Sequence, residues 1–222
     1  MRILPAPAIL AVAIAVVTGC GGGSDDGAPG GGALSRTAGP APELSGIPQH
    51  GTSLGQSRAP ATMVEFTDLR CGPCEDFEYD VLPTLVKRYV RPGRLRLELR
   101  VIGLGGKDSL VAAAWAAAAA KQDRLYQFVD AFFRGQAKPA DSSPVRVAAR
   151  AGLDVPRARR YALSPKVKAA LARTTDQARS SGITAPPKFY VARGRGALQP
   201  FPVNSQVPGD FTRPLDRLIA GG

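Results

Sequence analysis

The chain has 222 residues, 44% of them apolar and 21% charged, with a formal net charge of +11. That is enough for one domain with a core and an insertion. It carries three cysteines, Cys20, Cys71 and Cys74, and one histidine, His50, an inventory that poorly supplies either a four-ligand structural zinc site or a Cys-His hydrolase.

Residues 1–20, MRILPAPAILAVAIAVVTGC, place one positive charge at Arg2 ahead of an apolar run from Ala8 to Val17 and close on small residues. That is the layout of an export signal, and the run is too short for a membrane span of about 20 residues. The ending Val17-Thr18-Gly19-Cys20 resembles a bacterial lipobox. The resemblance implies cleavage before Cys20 and lipid attachment to it. The alternative is an ordinary secretory signal in which Cys20 is incidental. Residues 21–57 are rich in Gly, Pro and Ser and lack apolar periodicity. They read as a flexible linker with a reach of roughly 30 Å.

Order is expected from about Ala59. Thr62 to Phe66, in the apolar stretch ATMVEF, reads as a buried strand. TDLR then loops into CGPC, which opens a helix with apolar residues from Phe77 to Val90 at 3–4 spacing. Pro83 is expected to kink that helix, and Pro92-Gly93 to end it. Leu95 to Leu104 reads as a second strand. GGKDS turns the chain, with Asp108 or Ser109 capping a helix that runs through the alanine-rich VAAAWAAAAAKQ into LYQFVDAFFRG. The alanine run is short and flanked by charge, which suits a tightly packed helix rather than a membrane span. Further helices are read at Pro144 to Leu153 and Pro165 to Ser180, a strand at Lys188 to Ala192, a last strand near Ala197 to Val203, and a terminal helix at Asp210 to Ala220. A β-α-β unit makes a right-handed crossover and pairs in parallel. The two late strands are close enough in sequence to pair antiparallel.

Two cysteines three residues apart can hold half a zinc site, form an inert staple, or exchange electrons with other thiols. A four-residue ring contributes little as a staple, because the benefit of a disulfide grows with loop length. The missing histidines and the absence of a second cysteine pair weigh against metal. Cys71 falls at the start of a helix, where unpaired N–H groups and the helix dipole favour a thiolate. Arg70 adds positive charge if its side chain turns toward the sulfur. Cys71 is the candidate nucleophile, and Cys74, one turn on, the resolving thiol. Glu65, within an apolar strand, is costly to bury unless it has a task or a partner; otherwise it points to solvent from an edge.

MVEFTDLRCGPC at 63–74, Pro83 within the following helix, and GITAPPKFYV at 182–191 together resemble the DsbA-like branch of the thioredoxin-fold family. The resemblance covers roughly Ala59 to Gly222. It implies an α/β fold, a thioredoxin-like mixed sheet flanked by helices. An all-helical insertion, at about 108–181, separates the second and third core strands. The domain would span 58–222. The resemblance assigns Glu65 as a buried acid that relays a proton to the buried cysteine, and Pro187 as a cis-proline that offers backbone to an extended substrate peptide. Pro186 departs from the Thr or Val usual before that proline, so only its carbonyl is left for substrate pairing. Gly72-Pro73 is the dipeptide of thioredoxin, whereas strongly oxidising members carry Pro-His; a less oxidising couple is therefore expected.

The expected protein is an exported, lipid-tethered thiol:disulfide oxidoreductase acting on protein thiols and disulfides. It calls for no cofactor and no metal. A membrane or soluble redox partner would recycle its dithiol, and the lipid on Cys20 would hold it at the outer, periplasmic-type face of a bacterial membrane. The exported setting leans toward oxidation and Gly72-Pro73 toward reduction. The alternative is a non-catalytic binding module, or a lipoprotein that binds an anionic surface. Arg and Lys are dispersed over helical segments such as RVAAR and VPRARRY, without interleaved aromatics. That is a solvated face rather than a nucleic-acid surface. Lys188, Arg193 and Arg195 would favour acidic partners or serve only solubility.

Overall fold

The computed structural model describes residues 42–136 and 143–221. The signal-type segment, Cys20 and residues 21–41 of the expected linker lie outside the described residues.

The sheet has six strands in the order β1-β2-β4-β3-β5-β6. β3 (Ala61–Thr67) is central and pairs in parallel with β4 (Leu95–Val101) and antiparallel with β5 (Lys188–Arg193). β6 (Gln199–Pro200) pairs antiparallel with β5, as the spacing suggested, but is only two residues long. With neighbours on both sides, β3 is buried at every position but one, hence its nearly continuous apolar sequence.

The linker gives way to structure earlier than the composition suggested. A 3-10 turn at Pro42–Leu44 leads to a short hairpin of β1 (Gln49–His50) and β2 (Ser53–Leu54), and β2 extends the sheet beside β4. Two isolated leucines anchor this stretch. Leu44 and Leu54 are both buried in the main core, and an apolar pattern needs more than two members to be seen as periodic. Gly55 is required at its position. Its φ is +106°, and a Cβ there would meet Val90 Cγ1 at 2.9 Å and Leu95 O at 3.0 Å.

The helix after CGPC runs as four consecutive segments, Gly72–Asp76, Phe77–Val81, Leu82–Leu85 and Val86–Val90, together called α1. The second and fourth are π-type turns. The interruption expected at Pro83 takes this form: the turn before it widens, and Leu82 N bonds to Phe77 O. Helices absorb a proline's missing N–H in this way. α1 packs on β5 and on the last helix, α7 (Pro208–Ala220), through Phe77, Phe189 and Phe211, whose ring centroids are 4.8 to 5.3 Å apart. Tyr89 ties the far end, its hydroxyl 2.8 Å from Asp216 Oδ1. Each fully buried phenylalanine contributes roughly 1.5–3 kcal/mol.

Between β4 and β5 lie α2 (Lys107–Ala120), α3 (Leu125–Gln136), α4 (Pro144–Arg150), α5 (Val155–Ala162) and α6 (Pro165–Ser180). Two expectations are corrected here. Neither Asp108 nor Ser109 caps α2. The cap is Gly106 at φ 92°, because the preceding loop is drawn toward the active-site turn, leaving Asp108 inside the first helical turn. The long helix is also two helices. Asp123, at φ 54°, breaks the path after Ala120, and its carboxylate accepts the Gly51 N–H at 2.7 Å. Aspartate tolerates this left-handed geometry better than most residues. The alanine run does pack tightly, with Ala112–114, Ala116, Ala118 and Ala119 buried as α2 meets α3, α4, α5 and α6. No helix among the described residues is long and apolar enough to cross a membrane.

Candidate active site

β3 delivers the chain to the site. Its last residue, Thr67, is followed by Asp68-Leu69-Arg70, which turn the backbone into α1. Asp68 holds this turn: Oδ1 accepts the Arg70 N–H at 2.8 Å, and Oδ2 accepts the N–H groups of Leu104 and Gly105 at 2.7 and 2.9 Å. One buried carboxylate therefore joins the strand–helix turn to the loop after β4. It is also why α2 starts where it does.

Cys71 is the N-cap residue of α1, with extended backbone (φ −99°, ψ 119°) and no side-chain capping bond. Its sulfur is free to face outward and is half-buried, whereas Cys74, one turn on, is buried at 1% exposure. Cys71 Sγ lies 3.2 Å from the carbonyl oxygen of Pro186, and Pro186-Pro187 is a cis peptide. The loop expected to lie across from CGPC is thus in contact with it, through the one backbone group that Pro186 offers. Arg70 does not assist the sulfur. Its guanidinium lies over the Phe132 ring of α3, 5.3 Å from the centroid.

The two thiols are set apart electrostatically. A hydrogen bond from the Cys74 thiol holds Cys71 below the ordinary cysteine value, and the Cys74 backbone N–H adds to this. Partial burial and the carboxylates of Asp68 and Asp76 work against it. Burial pushes Cys74 far up, helped by the hydrogen bond it gives Cys71 and by the charge of Glu65. Of the two thiols, Cys71 is therefore the more readily ionised and Cys74 the more firmly protonated.

Glu65 is 8% exposed on the central strand and does not face solvent from an edge. Burial lifts its carboxyl from 4.5 to about 8; the Thr67 hydroxyl opposes the rise and the charge of Cys71 adds to it. Beside it is a cavity of about 10 Å³, room for about one water, lined by Glu78, Glu98 and Tyr126 among others. Glu78, on α1, is also raised well above its ordinary value, by burial first and then by the charges of Asp130, Glu65 and Glu43, with Arg134 opposing.

The residues singled out from the sequence, Glu65, Cys71, Cys74, Pro186 and Pro187, come together at one end of β3. Asp68, Thr67 and Glu78 were not singled out. Asp68 stood in the quoted motif, but its partners, Leu104 and Gly105, are more than 30 residues away in sequence. Glu78 looked like one polar residue on a helix, and nothing local says which face is covered.

A family model described as thioredoxin matches residues 49–195. The chain belongs to the thioredoxin family. Its match begins at the β1–β2 hairpin, inside the stretch read as linker. The probable disulfide bond formation protein D of Bacillus cereus is 35% identical over 91 residues, 40% of this chain and 42% of that protein. Disulfide bond formation protein D of Bacillus subtilis is 30% identical over 97 residues, 43% of this chain and 42% of that protein. The match therefore spans less than half the length of these relatives. Among solved structures, BdbD from Bacillus subtilis superposes with a TM-score of 0.64 at 20% identity, covering 77% of this chain and 93% of that one. A thioredoxin-like oxidoreductase from Silicibacter pomeroyi gives 0.60 at 26%, covering 82% and 95%. Wolbachia pipientis alpha-DsbA1 gives 0.61 at 19%, covering 80% and 93%. The thioredoxin-family chain thus has the DsbA-like form of the fold, a mixed sheet flanked by helices with a helical insertion.

Proposed function

We propose that this chain is an exported thiol:disulfide oxidoreductase that works through the Cys71–Cys74 dithiol–disulfide couple on protein substrates. The observation that carries the proposal is the asymmetry of the pair. Cys71 is half-exposed at a helix N-terminus with its thiol pKa lowered, and Cys74 is buried beneath it with its own raised. In this reading the Cys71 thiolate attacks a substrate sulfur and forms a mixed disulfide. Cys74 then attacks Cys71 Sγ, and the substrate thiolate leaves. Run backward, the same steps place a disulfide in the substrate. Glu65 takes or supplies the proton of Cys74, and its value near 8 suits both roles at neutral pH. Pro186 and Pro187 carry the backbone against which the substrate lies. Cys20 is the lipid attachment site of an extracytoplasmic, membrane-tethered form, supported by the signal-type segment and Val17-Thr18-Gly19-Cys20. A second redox protein recycles the pair.

The Bacillus relatives are named for disulfide bond formation, which favours the oxidising direction. Gly72-Pro73 favours the opposite one, because no histidine supports the thiolate. Equilibration with glutathione should therefore give a potential between about −270 mV, that of thioredoxin, and about −120 mV, that of a strongly oxidising DsbA.

The test compares the soluble domain with Cys71→Ser in two assays, insulin reduction and refolding of a scrambled disulfide protein. Wild-type activity in at least one assay, lost in the variant, is expected. Equal rates for the two proteins in both would leave a binding module without catalysis. Palmitate labelling that disappears in Cys20→Ser is the matching result for the anchor.

A further inference from the structure

α2, α5 and α6 meet around a pocket of about 360 Å³ that includes no residue of the CGPC turn. Its floor is formed by Ala114, Trp115 and Ala162, all buried. Six large apolar side chains are exposed among the described residues, and three of them, Leu110, Val111 and Leu163, line this one pocket. Scattered singly they would need no explanation; gathered around a recess they mark a place that something apolar covers. Alanines make the recess. Ala114 on α2, Ala162 on α5 and Ala172 on α6 all line it, where larger side chains would close it.

The charges are as particular as the apolar walls. Among the described residues that line the pocket, the polar side chains are those of Lys107, at the start of α2, and Lys168, near the start of α6. Both are exposed, and neither makes an ion pair or side-chain hydrogen bond among the described residues. Asp108, the acid next to Lys107, does not line the pocket. The surroundings have the same sign: residues 144–181, which include α5 and α6, hold nine Lys and Arg against two Asp. An anion is drawn to such a face.

We propose that this pocket binds a single-chain anionic amphiphile, a fatty-acid-type carboxylate whose chain lies against Trp115 and whose head meets Lys107 and Lys168. The volume falls in the range of small-molecule sites, roughly 300–1,000 Å³. The apolar floor and walls offer no side-chain partner to a polar ligand body, which would lose its water there without compensation. The two unpaired ammonium groups suit one anionic end. A bilayer is the poorer occupant, because the buried floor lies below the level that a flat layer of headgroups can meet, whereas one chain can enter. The site stands apart from thiol exchange and does not depend on it.

Trp115 is the chain's single tryptophan, so its emission reports on this pocket alone. The experiment titrates decanoate, kept below its micellar range, into wild type, Ala172→Phe, and the double variant Lys107→Gln with Lys168→Gln. 1-Decanol and phosphatidylglycerol vesicles are titrated into wild type alongside. Expected are a saturable change in Trp115 emission with decanoate, and a rise in the wild-type melting temperature at saturation. In Ala172→Phe the ring occupies the space and saturable binding is lost. Binding should be roughly fivefold weaker in the double lysine variant, and weaker to a similar degree for 1-decanol. Ala172, Lys107 and Lys168 are exposed, so these changes spare the core, and Ala172→Leu serves should the phenylalanine variant not fold. Absence of a saturable wild-type response to decanoate overturns the proposal, as does unchanged affinity in a folded Ala172→Phe protein. Equal affinity for 1-decanol and decanoate overturns the role of the lysines. A response to vesicles without one to decanoate makes the face a membrane contact and likewise overturns the site.

Discussion

Glu65 is where the residue scale has the largest consequences. Its folded value of about 8 stands against 4.5 unfolded, so between those values the folded protein holds a proton that the unfolded chain has released. The stabilising contribution of neutral Glu65 is fully present below pH 4.5 and is lost as pH rises through 8. At about 1.36 kcal/mol per unit the full effect approaches roughly 5 kcal/mol. Reduced wild-type protein should accordingly lose stability between pH 5 and 8.5 in urea unfolding. Glu65→Gln should match it at pH 4.5 and exceed it at pH 8.5, with a residual slope from Glu78, which is shifted the same way. Parallel slopes for the two proteins would remove Glu65 as the titrating group. The sequence showed that Glu65 was out of place on an apolar strand. It did not show the direction of the side chain, which follows from α1 lying over that face.

At the scale of elements, the site depends on one carboxylate that pins two loops. Asp68 accepts three backbone N–H groups, from Arg70, Leu104 and Gly105. Asp68→Ala leaves these without their partner, at about 1–3 kcal/mol for each that water does not reach. A loss of roughly 2–4 kcal/mol in chemical unfolding is expected; an unchanged midpoint would mean that the loops hold without it. Asp68→Asn removes the charge and, with one acceptor oxygen left, keeps only part of the bonding. The Asp68 charge raises the Cys71 thiol, so its removal should move Cys71 alkylation to lower pH. β4, β5 and α6 were legible from apolar patterns of sufficient length, and β3 from its short, nearly continuous apolar run. The break at Asp123 and the cap at Gly106 were not, because each answers to a distant backbone group: Asp123 is held by Gly51, and the loop before Gly106 by Asp68.

Across the whole molecule, residues 42–57 link the sheet to the helical insertion. Gln49 bonds to Gln127 and to the Tyr126 N–H at 2.8 and 3.0 Å, Gly51 bonds to Asp123, and Arg91 donates to the carbonyls of Glu43 and Ser45. A chain beginning at residue 42 should melt where the chain with its linker does. One beginning at residue 58 loses two buried leucines, each contributing roughly 1.5–3 kcal/mol. Its melting temperature should fall by about 10 °C. Equal melting temperatures would mean that the hairpin is an appendage.

The sequence by itself determined the strand–CGPC–helix unit, the late Pro186-Pro187 loop, the α/β class and the helical insertion. The strand–CGPC–helix unit, the class and the insertion rest on short-range patterns of side-chain periodicity, proline and glycine placement and cysteine spacing; the part played by the Pro186-Pro187 loop came from the family resemblance. Only the tertiary structure decided how Cys71 and Cys74 differ, because that difference comes from burial and from neighbours far along the chain. It also decided that Arg70 stacks on Phe132 rather than serving the sulfur. It brought the Pro186 carbonyl, 115 residues from Cys71, to within 3.2 Å of its sulfur. Thr67 shows the same division: in the sequence it is a hydroxyl at the end of a strand, and in the fold it is 1% exposed on the face of β3 that also carries Glu65.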